Sequence, residues 1–317
     1  MGDERMRAMF NGLLRAAAIF VACVAGAAVG NAADIRIDPS RPAGREAILE
    51  GRIETGDFDK FKNFILDSDH AVELYLASPG GNLAEAMKIG LLVRILKLST
   101  VVPSKTWTNQ ERETIAVRHN LKDAKADYQC TSACFFIFAA GVHRSSDDGG
   151  PAILGIHKPI LLPETLKKLS FTQAAAIDDR TRASVENYLK VMDVPQKYIE
   201  NMYDVPNRKI RWIRNDEFNA DFAGFIPELK DWVAARCDNR GDAGKPGEKS
   251  EYNAAAGRTT AARSAGDTLV KKSAAQLNCE QKAQDELAHR AYSDAQKRRS
   301  GEIPQSMLDK IPSSSPK

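Results

Sequence analysis

The chain has 317 residues, of which 43% are apolar and 27% are charged, and a formal net charge of +3. This length is enough for one sizeable hydrophobic core with additional segments. The net charge is too close to zero to argue for nucleic-acid binding, so we expect no nucleic-acid partner.

Residues 1–32 have the pattern of a secretory signal peptide. Arg7 and Arg15 provide the positive flank, an Ala-rich apolar run follows at 16–29, and the small residues after it predict cleavage behind Ala32. An uncleaved membrane anchor is the alternative, but the apolar run is short for a span of roughly 20 residues. We therefore expect an exported protein, which in a Gram-negative cell would be periplasmic.

Strand and helix patterns alternate after an extended leader at 33–45. Period-two and helical spacings predict these elements in order: strand AILEGRI (47–53), helix DFDKFKNFILDS (57–68), strand AVELYLA (71–77), a helix at 83–95 and strand LSTVVP (98–103). Strand–helix–strand order of this kind implies parallel strands with right-handed crossovers. The sequence therefore predicts an α/β fold with a mostly parallel sheet.

Two glycines follow the second of these strands, in the turn SPGGN (78–82). Alone, the motif is an ordinary Pro-Gly turn. A glycine pair that leaves a strand can also present backbone N–H groups to an oxyanion.

Residues 105–128 are highly charged and precede the next apolar run. We expect them to form an insertion at the mouth of a site, either as a lid or as a solvated excursion. In both cases we expect His119, which lies among charged residues, to be on the surface.

The stretch QCTSACFFIFAAGVHR (129–144) places Ser132 at the head of a helix that is apolar nearly all round and ends at Gly141. Such a helix is expected to be buried. Ser132 fits two roles, a helix N-cap and a nucleophile at a helix start. The strand AILGIHKP (152–159) then brings His157, an imidazole that suits a general base.

The cysteines agree with export. Cys23 lies in the signal peptide, and an even number remain, which suits disulfides in an oxidising compartment: Cys130, Cys134, Cys237 and Cys279. Cys130 and Cys134 bracket Ser132 and are close enough at a helix start to form a bridge, or they pack as two buried thiols. No His or carboxylate stands near them at ligand spacing, so we expect no metal.

In this order, SPGGN, SACFFIFAAG and IHKP resemble the Clp protease proteolytic subunit and its relatives in the Clp/crotonase superfamily, over roughly residues 45–229. The resemblance implies a Clp/crotonase-like core of repeated ββα/βαβ units. It also implies a serine nucleophile, a histidine base and backbone N–H donors for the oxyanion. These roles fall on Ser132, on His157, and on Gly80 or Gly81 together with Ala133.

The third catalytic residue of that family is an aspartate just before a short strand, and here the chain departs from the pattern. Before KIRWI (209–213) it has Asn207 followed by basic residues. Asp204 could provide the carboxylate from a shifted position, Asn207 could orient the imidazole, or the site could be a dyad. A Ser/Lys dyad with Lys158 is a further alternative, but neighbouring strand residues point to opposite faces, so Lys158 and His157 cannot both face Ser132.

The C-terminal half divides into two parts. Residues 161–206 are mostly helical, and the resemblance implies that this region makes contacts in a homo-oligomer; a last βα unit follows at 209–226. From Asp238 onward large apolar residues become scarce, which predicts a linker at 238–265, one helix within 266–299 and a flexible tail. We expect three segments: the signal peptide (1–32), a hydrolase domain (33–237) and a low-complexity, partly helical tail (238–317) that the fold does not need.

These observations predict an exported serine peptidase that acts on a peptide or protein substrate and uses no metal or organic cofactor. Clp ATPases are cytoplasmic, so we expect no such partner and no ATP dependence. Two alternatives remain open. One is an esterase or other acyl-transfer enzyme with the same site, and the other is a non-catalytic binding or scaffolding module of the same fold.

Overall fold

The computed structural model describes residues 32–38, 46–67, 71–106, 108–123, 127–160, 167–206, 209–237 and 274–297. The expectations for the signal peptide up to Asn31, for the linker at 238–265, for the C-terminal tail beyond 297 and for Asn207 lie outside these residues.

The described strands and helices follow the predicted alternation. In chain order the strands are β1 (Asp34–Ile37), β2 (Glu46–Glu50), β3 (Glu73–Ala77), β4 (Ser99–Val102), β5 (Cys130–Thr131), β6 (His143–Ser146), β7 (Leu154–Ile156), β8 (Arg211–Trp212) and β9 (Gly224–Phe225). The helices are α1 (Asp57–Asp67), α2 (Leu83–Ile95), α3 (Asn109–Arg118), α4 (Ala133–Ala140), α5 (Phe171–Val191), α6 (Gln196–Asp204), α7 (Asn215–Asp221), α8 (Pro227–Cys237) and α9 (Ala274–Lys297).

Most strand pairs in the larger sheet are parallel. Its order is β1-β2-β3-β4-β6-β9, in which β2, β3, β4 and β6 are parallel and the two outer strands pair antiparallel. A smaller sheet, β5-β7-β8, begins where β3 ends, because Ser78 bridges to Cys130. The prediction of an α/β fold with a mostly parallel sheet is confirmed.

Alternate residues of the central strands enter two different apolar clusters, because successive side chains of a strand point to opposite faces. Leu74 and Leu76 pack in the main core with residues of α1, α2 and α4. Tyr75 and its neighbours on the adjacent strands form a second cluster on the opposite face, against which Leu121 packs.

The charged segment that includes α3 therefore covers the second face of the sheet. Ile115 and Ala116 of α3 are buried, and Leu121 contacts the strand cluster. These few apolar residues hold the segment against the sheet, although most side chains of α3 are exposed. Its expected place at the mouth of the site stays a prediction.

Helix α4 is buried along its whole length. The last carbonyls of a helix have no partner within it and need other donors when water is excluded. Two arginines supply them: Arg94 donates from Nε to the Ala140 oxygen at 2.8 Å, and Arg144 donates to the Ala139 and Gly141 oxygens. Burial lowers the pKa of Arg144 to about 9, and the nearby charge of Arg94 acts in the same direction.

The C-terminal helix predicted within 266–299 is present as α9, and it packs on the core. The Tyr292 hydroxyl donates to the Ala71 oxygen at 2.8 Å, Tyr292 belongs to the main core, and Cys279 is bonded to Cys237 at the end of α8. Because of these contacts we now expect α9 to contribute to the stability of the domain, contrary to the expectation that everything beyond residue 237 is dispensable. Among the described helices, none combines the length and the hydropathy that crossing a bilayer requires.

Replacing Tyr292 with Ala should destabilise the whole domain, because it removes a buried ring and a hydrogen bond that joins α9 to the start of β3. Large-to-small changes of buried aromatic residues cost about 3–5 kcal/mol. Urea unfolding would measure the loss, with His289→Ala on an exposed position of the same helix as the control. Equal, small effects of the two changes would mean that α9 is not part of the cooperative core.

Candidate active site

Ser132 lies in a sharp turn between β5 and α4, which we call the Ser132 turn (131–133). Its φ and ψ are 58° and −122°, a conformation that residues with a side chain rarely adopt and that is strained. The side chain makes no capping hydrogen bond to α4, so the N-cap interpretation is not realised. Ser132 is half-buried, whereas its neighbours Thr131 and Ala133 are buried.

The turn at 78–82, which we call the glycine loop, packs directly against the Ser132 turn. A Cβ added at Gly80 would lie 2.6 Å from the Cβ of Ser132 and 2.7 Å from the nitrogen of Ala133. A Cβ at Gly81 would lie 2.1 Å from the Ile53 oxygen. Both glycines also have positive φ, 93° and 143°, so a side chain at either position would be excluded by space and by backbone conformation.

The hydrogen bonds of the glycine loop distinguish its two candidate oxyanion donors. The Gly80 N–H donates to the Ser78 Oγ at 3.0 Å. No acceptor for the Gly81 N–H occurs within the described part of the chain. Ala133 is the first residue of α4, where an N–H has no partner inside the helix. In the described part of the chain, neither the Gly81 N–H nor the Ala133 N–H is thus occupied by an intramolecular acceptor.

Ser78 and Thr131 tie the two turns together, and the sequence analysis did not single out either of them. The Ser78 nitrogen donates to the Gln129 oxygen at 2.7 Å, and the Thr131 nitrogen donates to the Ser78 oxygen at 3.1 Å. The Thr131 hydroxyl donates to the Pro79 oxygen at 3.1 Å. A serine two residues before a glycine is the pattern of a hydroxyl that accepts from the backbone two residues on, and that signal could have identified Ser78.

His157 directly follows β7, the strand that pairs with β5. The Ser132 nitrogen donates to the Gly155 oxygen at 3.2 Å, which brings the chain ahead of His157 beside the Ser132 turn. The Nδ1 atom of His157 lies 2.7 Å from the Lys158 oxygen. Because a carbonyl only accepts, Nδ1 carries the proton, and Nε2 is left as the basic nitrogen.

In the described part of the chain, the His157 ring makes no hydrogen bond to Lys158 Nζ, to Asp204 or to Ser132. The Lys158 ammonium pairs with Asp178 at 2.9 Å, which occupies it as an ion pair. Asp204 is exposed at the end of α6, and no hydrogen bond joins it to His157 in the described part of the chain. Asp216, the first carboxylate after the short strand KIRWI, is paired with Arg214 at 2.7 Å.

The four cysteines outside the signal-like segment form two pairs at disulfide distance. Cys130 and Cys134 are bonded with their Cα atoms 5.3 Å apart, and Cys237 and Cys279 are bonded with theirs 5.6 Å apart. The first bridge encloses Ser132, since it connects β5 to the first turn of α4. The alternative of two free buried thiols at Cys130 and Cys134 is not realised.

His119, expected on the surface, is fully buried on the second face of the sheet. Its ring stacks on Tyr75 with the centroids 4.1 Å apart. Nδ1 lies 2.5 Å from Asp38 Oδ2, and Nε2 lies 3.3 Å from Asp147 Oδ2. A histidine with carboxylates at both nitrogens is held as an imidazolium, and these buried partners come from other segments of the chain, not from the charged residues beside His119 in the sequence.

Asp38, Glu46 and His119 also have their ligand atoms within 4.8 Å of one another, a grouping that could hold a metal ion. The 2.5 Å between Nδ1 and Oδ2 is a hydrogen-bond distance. Two ligands of one tetrahedral Zn²⁺ would stand about 3.3 Å apart. The geometry therefore fits a proton shared between His119 and Asp38 better than a metal.

The pKa values in this cluster favour the protonated forms. Burial lowers the pKa of His119, but its hydrogen bonds to Asp147, Asp38 and Glu46 outweigh burial and raise the pKa to about 11. Burial raises the pKa of Glu46 to about 8; hydrogen bonds with Glu73 and Asp38 act in the same direction, and the bond to His119 opposes them.

Comparisons with known proteins give a distant structural similarity. No protein-family model matches the chain, and no curated protein matches it significantly. Among solved structures, it is similar to a mutant of ClpP1 from Listeria monocytogenes, with 14% sequence identity and a TM-score of 0.37, over 55% of this chain and 85% of that chain. At this level the similarity carries no argument about activity, which has to come from the geometry around Ser132.

Replacing His119 with Gln should lower the free energy of unfolding, since the carboxylates of Asp38 and Asp147 would lose their buried cation. Removing one partner of a buried ion pair costs about 3–5 kcal/mol. His289→Gln, which changes an exposed histidine on α9, is the control for urea unfolding.

The same cluster predicts a pH dependence of stability in the wild-type protein. A raised folded pKa means that the folded state binds the proton more tightly than the unfolded chain. The contribution of Glu46 is therefore lost as the pH rises through about 8, and that of His119 is lost as it rises towards about 11. The thermal midpoint should fall between pH 7 and 10, and less steeply in His119→Gln. A midpoint that rises over this range would contradict the assignment.

Proposed function

We propose that this chain is a serine hydrolase that cleaves peptide bonds, with Ser132 as nucleophile and His157 as general base. The observation that carries the proposal is the strained position of Ser132 at the start of α4, with the glycine loop packed against its Cβ. Strain of this kind persists where the surrounding structure imposes it, and it is frequent at catalytic sites.

The chemistry follows from the available donors and acceptors. The Ser132 Oγ attacks the substrate carbonyl while His157 Nε2 accepts the hydroxyl proton. The oxyanion receives hydrogen bonds from the N–H groups of Gly81 and Ala133, each worth on the order of 10²–10³ in turnover. The C–N bond then breaks, His157 returns the proton to the leaving amine, and water hydrolyses the acyl-serine ester.

The Lys158 carbonyl takes the orienting role that a carboxylate has in a triad. It accepts the Nδ1 proton of His157 at 2.7 Å, and this selects the tautomer in which Nε2 can act as base. A neutral carbonyl stabilises the imidazolium less than a carboxylate does. We therefore propose a Ser/His dyad supported by a backbone acceptor.

Several features support the wider proposal of an exported, ATP-independent peptidase of Clp/crotonase-like fold. The motifs SPGGN, SACFFIFAAG and IHKP occur in the order that this superfamily uses. Two cysteine pairs at disulfide distance suit an oxidising compartment such as the periplasm, as does the signal-like N-terminus. A Clp ATPase would not be available there, so the enzyme would act without one, alone or as a homo-oligomer.

Ser132→Ala should abolish both peptide cleavage and labelling by a fluorophosphonate probe, because it removes the attacking oxygen. The fold should be retained with unfolding within about 0.5 kcal/mol of wild type, since the hydroxyl makes no capping bond. His157→Ala should lose both activities too, because nucleophile and base act as a unit. Labelling kinetics and circular dichroism measure the two effects.

Ser184→Ala on α5 is the matched control and should label as the wild type does. Wild-type protein that neither labels nor cleaves would favour the non-catalytic module. Labelling together with cleavage of esters but not of peptides would favour the esterase. Cleavage that survives in Ser132→Ala would refute the assignment of the nucleophile.

Asp204→Asn should leave the labelling rate within about twofold of wild type, as expected for an exposed residue outside the site. Asp216→Asn, at another exposed carboxylate, provides the comparison. A loss of about tenfold or more in Asp204→Asn alone would restore Asp204 as the third member of a triad.

A further inference from the structure

The disulfide between Cys130 and Cys134 spans the Ser132 turn, with Ser132 midway between its two ends. We infer that this bridge is a positioning element for the reaction, which holds Ser132 and the Ala133 N–H in their reactive arrangement. The inference rests on the function proposed above. It assigns the bridge the local role of positioning the nucleophile, and not the general role of stabilising the domain.

The strain at Ser132 requires such a constraint. Its φ of 58° and ψ of −122° lie outside the favoured regions for a residue with a side chain, at a cost on the order of 1–3 kcal/mol. The Ser132 hydroxyl does not offset this energetic cost, because it makes no capping hydrogen bond to α4. The turn therefore depends on the segments at its two ends.

The bridge connects those two ends. On one side, the Cys130 nitrogen donates to the Ile153 oxygen at 2.9 Å, which fixes β5 against β7. On the other side, Cys134 belongs to the first turn of the buried helix α4. With both anchors covalently joined, the three residues between them cannot relax by letting β5 slide away from the helix.

The length of the closed loop argues against a mainly global role. A disulfide restricts the unfolded chain more strongly when it closes a longer loop. The Cys130–Cys134 bridge spans a sequence separation of 4, whereas the Cys237–Cys279 bridge spans 42. The Cys237–Cys279 bridge is thus the one suited to stabilising the whole domain. It serves as a control, because its loss should lower stability without changing the Ser132 turn.

The test compares full-length Cys130→Ala/Cys134→Ala with Cys237→Ala/Cys279→Ala, and uses a fluorophosphonate as the probe. The first variant should lose about tenfold or more in the maximal labelling rate, because a misplacement of about 1 Å at the reacting atoms can cost on the order of 10². Its half-saturating probe concentration should not change. The second variant should keep the wild-type labelling rate and show the lower unfolding midpoint.

A second measurement covers the case in which Cys130→Ala/Cys134→Ala does not fold. The Cys23→Ala/Cys237→Ala/Cys279→Ala variant retains only the bridge at the turn. This variant is refolded from denaturant in two ways. With a phosphine reductant Cys130 and Cys134 stay as two thiols, and without it they form the disulfide. The reduced form should label more slowly, and reoxidation should restore the rate.

The outcomes separate this inference from the proposed function. If the wild type labels and the variants without the bridge label equally fast, the positioning role is refuted and the serine hydrolase stands. If the wild type does not label, the proposed function fails and the positioning role fails with it.

Discussion

The burial of helix α4 is the constraint on which the rest of this structure depends. Its eight residues are all buried, so its unpaired backbone groups have to find partners that are not bulk water. At the C-terminal end, the guanidinium groups of Arg94 and Arg144 bind the last carbonyls. The N-terminal end instead begins at the Ser132 turn, against which the glycine loop packs. The same helix thus forms part of the core and points its positive end at the Ser132 turn.

The sequence was sufficient for features that depend on local pattern. The central strands and α2 follow from apolar periodicity, and α4 follows from its unbroken apolar run. Motif order anticipated that the glycine loop and the Ser132 turn lie together, while the roles of Ser132 and His157 stay predictions. The short strands β5, β6 and β9 carry no such pattern, since β6 is HRSS and exists because Arg144 and its neighbours pair with β4. The Lys158 carbonyl could not have been found, because a backbone acceptor leaves no trace in residue type.

His119 illustrates a different limit. In the sequence it stands among charged residues, which is typical of a solvated surface. In the structure its partners come from distant segments: Asp38 follows β1, Glu46 begins β2, and Asp147 begins the turn after β6. Only the fold brings these carboxylates to one imidazole, and composition alone cannot separate a buried ionic cluster from a hydrated face. The contacts of His119 with Asp38 and Asp147 also help to hold the charged segment against the sheet.

The contact between Tyr292 and Ala71 joins residues 221 positions apart in the chain. Contacts of such long sequence separation slow folding, because a large loop has to close before they form. During synthesis, the edge of the core ahead of β3 therefore stays open until α9 has emerged. A chain built in this way completes its core late, after the strands and helices of residues 32–237 have been made.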